Sequence, residues 1–341
     1  MTTKSKSFYF NQARFGLIWS LAYANSPSKS TVILLPELIC NSLTDVLFRA
    51  GYQITYYKID STLNPCVESI EKHFSKTSDI KALIYVNYFG IPAKVELIRK
   101  LCTEKDVLLI EDNSHGFGGQ FEGSYLGEKG DISISSPRKS YSSAIGGVIS
   151  INSKNLLLND FKNQPYNQLN YSKIPITHMH KIDNIFLQSI RNNFRIKKLS
   201  FIEQNDPYAF REKPPRDIYL GPIAEKYRYF VDWKMIRKTR INGWNLTRSM
   251  CKKLGIKPIF ENSIDQLCPW AYPAFCKNIN ERNDWIKFFY SRSLAAFSWP
   301  CLPNEQIISK KDALEYWKNI ICIPLNNISI RSVKRIYNKL S

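Results

Sequence analysis

The residues able to do chemistry concentrate between Val107 and Gly147. Val107-Leu108-Leu109-Ile110 runs into Glu111-Asp112-Asn113-Ser114-His115-Gly116. About twenty residues on comes Gly130-Asp131-Ile132-Ser133-Ile134-Ser135-Ser136-Pro137-Arg138-Lys139, and then Gly146-Gly147. Four apolar residues ending in an acidic pair describe a buried strand that delivers carboxylates to its C-terminal end, where ligands sit in open α/β sheets. A carboxylate and a lysine on one such edge are what a pyridoxal phosphate (PLP) site requires. The amine forms an imine with the aldehyde, and the carboxylate keeps the pyridine nitrogen protonated. Once displaced, the lysine is a free amine that moves a proton beside the reacting carbon. Burial and nearby cations such as Arg138 lower a lysine's pKa towards that task. Singly, each residue has a plainer reading. An acidic pair after a strand ordinarily caps a helix or lines a surface turn, a turn lysine is ordinarily solvated, and His115 alone is a satisfied polar group.

The elements that must hold these residues read as strand and helix in alternation. Thr31 to Leu35 is a fully apolar strand of the parallel-sheet type, ended by Pro36. Leu38 to Ala50 is a helix closed by Gly51. Gln53 to Ile59 and Ala82 to Asn87 are strands, the second breaking at Gly90-Ile91-Pro92, and Val95 to Glu104 is a helix. Ile132 to Ser135 and Gly147 to Ile151 are short strands with Lys139 in the turn between them. This rhythm predicts right-handed βαβ units and a mostly parallel sheet covered on both faces. Asn11 caps a first helix from Gln12, with Phe15, Ile18, Leu21 and Ala22 as its apolar face. Its N-terminus beside Arg14 suits a phosphate, although Arg14 pointing to solvent is the simpler reading.

After Asp112 the chain is glycine-rich, yet it holds neither a G-x-G-x-x-G after a strand nor a Walker pattern, which disfavours dinucleotide and P-loop readings. The eight cysteines show no C-x-x-C pair, so a zinc ribbon or thioredoxin-like site is not indicated, and a reducing compartment is expected. Lys4, Lys6 and Arg14 before the apolar run from Phe15 imitate a signal peptide, but Gly16 and Ser20 interrupt that run and a helix start is simpler. No stretch has the ~18 apolar residues of a membrane span. With 48 Lys plus Arg against 29 Asp plus Glu, the formal charge is +19. Such a surface favours anionic partners, though a solvated lysine-rich face is the ordinary cause.

From 152 to about 220 the pattern loosens around one helix, Ile182 to Leu199, whose end carries Arg191, Arg195, Lys197 and Lys198. Pro222 to Leu254 is strongly helical, with Gly243 either bending it or allowing close packing. The remainder alternates strands around Tyr272, Phe297 to Trp299 and Ile321 to Ile323 with helices at 280–295, 311–318 and 330–340. The expected division is a three-layer large domain over 1–220 and a smaller α/β domain over 221–341.

Over residues 31 to 151 the sequence resembles the sugar aminotransferases of the DegT/DnrJ/StrS type. Leu35-Pro36 opening a helix, followed by Gly51 and Asp60, matches one stretch of that family, and Tyr85-Val86-Asn87-Tyr88-Phe89-Gly90 another. Ile110 to Gly116 is similar to the family's acidic strand end, Gly123, Gly127 and Gly130-Asp131 to its glycine run, and Lys139 before Gly146-Gly147 to its lysine and double glycine. The resemblance implies the PLP-dependent transferase fold of aspartate-aminotransferase type. It implies that Lys139 bonds the cofactor covalently, Asp112 pairs with the pyridine nitrogen and His115 lies near the phenolic oxygen. Ser135 or its neighbour Ser136 would bind the phosphate, with Ala13 and Arg14. Cys40 stands where many members stack an aromatic on the ring, and Ala13-Arg14-Phe15 where many have a Gly-Ser or Gly-Thr pair.

The expectation is therefore a cytoplasmic PLP-dependent aminotransferase, a homodimer as the family implies. It would move an amino group from a donor such as glutamate to a keto sugar on a nucleotide diphosphate, for surface polysaccharide or a related glycoconjugate. No metal and no nucleic acid enter that reading, and Lys139 argues against the family's histidine-bearing dehydratases. Two rivals stand beside it. One is a catalytically lapsed binding or regulatory protein, motivated by Cys40 and Ala13-Arg14-Phe15. The other is a basic nucleic-acid or membrane-surface binder resting on residues 191–198.

Overall fold

The computed structural model describes residues 6–10, 12–23, 31–141, 146–153, 156, 231–261, 264–299, 301–303 and 311–340. The loosely patterned segment, its helix at 182–199 and the expected boundary at 220/221 lie outside them.

In chain order the first part holds β1 (Lys6–Phe10), α1 (Ala13–Tyr23), β2 (Val32–Pro36), α2 (Asn41–Arg49), β3 (Gln53–Tyr57), α3 (Val67–Lys76), β4 (Ile80–Val86), α4 (Glu96–Glu104), β5 (Leu108–Asp112), β6 (Gln120–Phe121), β7 (Ser124–Tyr125), β8 (Ile132–Ser135), α5 (Pro137–Ser140) and β9 (Gly147–Ile151). Seven of these strands form one sheet in the order β1-β9-β8-β5-β4-β2-β3. β3, β2, β4, β5 and β8 pair in parallel, and β9 runs antiparallel to both β8 and β1. The central strands β2, β4 and β5 are apolar almost throughout because both sheet faces are covered: Ile33, Leu34, Leu35, Leu83, Ile84, Leu109 and Ile110 are fully buried. Register puts Asp112 of β5 between Val86 of β4 and Ile134 of β8, at the C-terminal edge of the sheet.

Two glycines decide how closely α1 lies on this sheet. A Cβ on Gly16 would run into the side chains of Ile149 and Phe10, and one on Gly147 into the backbone of Ala13. Hence the face that α1 buries is Gly16, Leu17, Ser20 and Leu21, while Phe15 and Ile18 are half-buried and Ala22 is exposed. The expected face is corrected by about one residue. Nearly every side of this helix is apolar, so the smallest residue rather than the largest chooses the contact.

The second part holds β10 (Lys257–Pro258), β11 (Ala271–Phe275) and β12 (Ile320–Pro324), an antiparallel sheet, with α6 (Trp233–Lys253), α7 (Ile279–Tyr290), α8 (Lys311–Asn319) and α9 (Asn327–Lys339). Asp232, Asn278 and Asn326 cap α6, α7 and α9 by accepting the N–H of the residue three positions on. Gly243 lets α9 close on α6: a Cβ there would meet Ile330 at 2.6 Å, and the helix runs through it without a break. Around Phe297 the expected strand is a single bridge to Cys322, and the helix at 280–295 ends at Tyr290. Among the described residues no helix is long and apolar enough to cross a membrane.

Candidate active site

The sheet edge opens into a cleft at the ends of β4, β5 and β8. Its lining comes from the start of α1 (Gln12, Ala13, Arg14), the start of α2 (Ile39, Cys40, Ser42, Leu43), Val86, Asp112, Ser114, His115, Ile134, Ser136, Arg138, Lys139, Gly146 and Trp299. The structure thus brings together Asp112, His115, Ser136, Ala13, Arg14, Cys40 and Lys139. Ser135 lies one residue back inside β8, paired with Val148, and does not line the cleft.

Each side chain is held by its neighbours. The Ser114 N–H donates to Asp112 Oδ1 at 2.9 Å, an Asx-type turn that keeps the carboxylate at the strand end. Burial raises the Asp112 pKa, opposed by the Ser114 hydrogen bonds and by the charge of Lys139. Glu111, one residue earlier, is buried and does structural work. Its carboxylate accepts from Asn87 Nδ2 and from the N–H groups of Gly127, Lys129 and Gly130, fastening the glycine-rich loop under the strand. Of the acidic pair, one member builds the loop and the other lines the cleft.

His115 is buried with its Nδ1 accepting from the Phe89 N–H at 3.1 Å, which assigns its ring proton to Nε2. Burial, reinforced by the Lys139 charge, holds its pKa well below 6.5, so the ring is neutral. Phe89 reaches it from a turn in the left-handed region, φ +58°, followed by Gly90 at φ +88°. A Cβ on Gly90 would sit 2.8 Å from the His115 carbonyl oxygen, which explains the glycine of the Tyr88-Phe89-Gly90 turn. Two tryptophans complete the surroundings, with ring centroids 4.6 Å (Trp270) and 4.8 Å (Trp299) from His115.

Lys139 stands on α5, with its Nζ 4.7 Å from the Trp270 ring centroid. Ser136, just before α5, donates its hydroxyl to the Gly146 carbonyl at 3.0 Å. This bond and the packing of Gly147 on Ala13 gather Ser136, the double glycine and the N-terminus of α1 in one place. The first turn of α1 holds no acidic residue. A positive helix end, an arginine and a serine hydroxyl together suit a phosphate. Among the described residues no group of three or more His, Cys, Asp or Glu could hold a metal. Sequence reasoning did not single out Gln12, Ser114, Trp270 or Trp299. Only Ser114 carried a local signal, as the second residue after an aspartate that ends a strand.

Residues 16–163 match the sequence profile of the DegT/DnrJ/EryC1/StrS aminotransferase family, across the whole stretch that carries the cleft's acid, histidine and lysine. That stretch of the chain is similar to this family. GDP-perosamine synthase of Escherichia coli O157:H7 is 23% identical over 294 residues, covering 82% of this chain and 77% of that one. Among solved structures, Helicobacter pylori PseC, an aminotransferase of pseudoaminic acid biosynthesis, superposes with a TM-score of 0.65 at 15% identity, covering 98% of this chain and 86% of that one. 3-Amino-5-hydroxybenzoic acid synthase does so with a TM-score of 0.66 at 13% identity, covering 98% and 86%. These structures share the fold, and the fold spans sugar and non-sugar products, so substrate identity rests with the residues of the site.

The cofactor the family implies is PLP, and the cleft fits it. Asp112 is a buried carboxylate whose charge burial disfavours, so it gains from a cationic ring nitrogen beside it. Lys139 lines the same cleft, and the helix end with Arg14 and Ser136 lies within it for the phosphate.

Proposed function

We propose that this protein is a PLP-dependent aminotransferase that moves an amino group from an amino acid, glutamate by preference, to a keto sugar carried on a nucleotide diphosphate. The observation that carries this reading is that Asp112, His115 and Lys139 line one cleft at the C-terminal edge of the sheet. Bound there, the cofactor supplies an electron sink that stabilises negative charge on the carbon losing its proton. Asp112 would keep the ring nitrogen charged, His115 would offer its neutral Nε2–H to the phenolic oxygen, and Lys139 would hold the aldehyde carbon and, once released, serve as the amine that moves the proton. Ser136, Arg14 and the N-terminus of α1, from Ala13, bind the phosphate. Cys40 takes the place of a stacking aromatic over the ring. The basic surface suits a diphosphate-bearing substrate. The GDP-sugar product in the name of the Escherichia coli relative supports a nucleotide-linked acceptor. We place the reaction in the cytoplasm, in a homodimer, and in the supply of amino sugars for surface glycoconjugates.

Purified protein mixed with PLP should turn yellow. Borohydride should bleach the colour and fix one pyridoxyl group on Lys139, and glutamate should convert the bound cofactor to its amine form. Lys139→Ala should abolish the fixed label and reduce amino transfer at least 1,000-fold, the loss expected of a residue acting in both covalent and proton-transfer steps. Colour in the wild type without conversion by any amino acid would favour the catalytically lapsed reading, which the thiol of Cys40 in the cleft keeps in view.

A further inference from the structure

One helix beyond the segment that matches the family profile, α6, reaches the chain around the cleft's lysine. Trp233, Arg237 and Arg240 recur at the spacing that places them on one face of that helix. Trp233 packs against Phe117 and Tyr141, with ring centroids 5.3 and 5.4 Å away, and Arg237 donates to the Gly118 carbonyl at 2.9 Å. Arg240 goes deeper. It is buried, and its guanidinium donates to the carbonyls of Lys139 (3.0 Å), Ser140 (2.8 Å), Trp270 (3.1 Å) and Pro269 (3.4 Å).

Those carbonyls are informative. α5 is four residues long and ends at the extended Tyr141, so the carbonyls of Lys139 and Ser140 lie at a helix end, where donors from outside the helix are needed. Arg240 supplies the donors. With its other nitrogen it grips the backbone of Trp270, the residue whose ring lies 4.7 Å from Lys139 Nζ. One planar fork therefore ties the lysine's main chain to the main chain of the ring beneath its amine. A lysine in place of Arg240 would keep the charge and lose the fork.

We propose that Arg240 is a positioning residue: by holding the carbonyls of Lys139, Ser140 and Trp270 it fixes the Lys139 amine over the Trp270 ring. It touches no reacting atom itself. The test has two arms, and only the second rests on the cofactor reading. In the first, protein without cofactor is acetylated with trace acetic anhydride and Lys139 is compared by peptide mass spectrometry with the more exposed Lys100 and Lys129. Arg240→Met should change the relative reactivity of Lys139 at least threefold, and Arg240→Lys by less. In the second, with PLP bound, Arg240→Met should lose at least half of the visible circular dichroism per bound cofactor, and kcat should fall at least tenfold with the donor KM within twofold. Arg240→Lys should recover part of both. Variants that melt at lower temperature but keep the Lys139 reactivity ratio, the dichroism and kcat would overturn the proposal, since Arg240 would then serve the fold alone. If Arg240→Met does not fold, Arg240→Lys decides the same readouts. A wild type with no pyridoxyl group fixed on Lys139 would sink the cofactor reading and leave the acetylation ratio to decide this one.

Discussion

Asp112 sits where burial makes its charge costly and where the proposed chemistry needs that charge. Its folded pKa lies above the ordinary value, so the proton is held more tightly in the folded chain than in the unfolded one. The stability this gives is complete below the unfolded pKa near 4 and is lost as pH rises through the folded value. At neutral pH and without cofactor, ionised Asp112 is a burden. Asp112→Asn keeps the oxygen that accepts from Ser114 and removes the charge, so its melting temperature without cofactor should rise by a few degrees at pH 7. Added PLP should raise the melting temperature of the wild type more than that of the variant, because stabilisation by a ligand follows its affinity. An unchanged response to cofactor in Asp112→Asn would remove the carboxylate from the binding site. His115 has the opposite sense. Its folded pKa is depressed well below 6.5, so the unfolded chain takes up a proton that the folded chain refuses. Its share of stability is complete above about pH 6.5 and is lost as pH falls. Melting curves from pH 8 to pH 5 should therefore drop more steeply for wild type than for His115→Gln, and parallel curves would show that the ring is not held neutral.

Among the elements, the joint between α1 and β9 decides whether the phosphate end of the cleft exists. Gly147 begins β9 against the backbone of Ala13, and backbone cannot swing aside as a side-chain tip does. Gly147→Ala should destabilise the protein by about 2–3 kcal/mol, the cost of overpacking a filled contact, and should weaken PLP binding along with it. Urea denaturation and a cofactor titration on the same variant test both halves, and a loss below ~0.5 kcal/mol would show that the joint is slack. This joint also marks how far the sequence was legible. β2, β4 and β5 are legible because both faces of a parallel sheet are covered, so their apolar runs are nearly continuous, and β8 and β9 are legible as short isoleucine-bearing runs set off by Gly130, Pro137 and Gly146-Gly147. β1 is not: Lys6-Ser7-Phe8-Tyr9-Phe10 becomes a strand through its pairing with β9. α3 is similarly faint, with only Ile70 and Phe74 buried among charged residues. At the cleft, Asp112 and Lys139 are legible because a strand end and a turn carry them locally. Arg240 and Trp270 are not, since they arrive from more than 100 residues away, and Arg240 sits in a basic stretch with Arg237 and Lys238 that looks like an ordinary solvated face.

Across the whole molecule, the strand that matters most is β12, because it belongs to two cores at once. Ile320 and Cys322 pack into the core of the seven-stranded sheet, and Ile321 and Ile323 pack with α6, α7 and α9. The period-two alternation of a strand here separates two interiors rather than interior from solvent. A four-residue apolar run gives no hint of that division, which is why a two-part reading of the sequence misses the shared wall. Ala271 of β11 and Trp317 of α8 join the first core as well. Opening either side strips one face of β12 and exposes apolar surface belonging to both, so the two parts should unfold together. Two thiols report on this separately. Cys102 is buried in the first core and Cys251 in the second, and burial pushes both thiols above their ordinary range, to about 12 for Cys102. Both are inert while folded. In a urea series with brief pulses of a thiol reagent, read by peptide mass spectrometry, Cys102 and Cys251 should become reactive at the same urea concentration, within ~0.3 M, a small interval for typical denaturant slopes. Reactivity of Cys251 well before Cys102 would mean that the C-terminal sheet opens on its own, and that the alternation along β12 does not couple the two interiors.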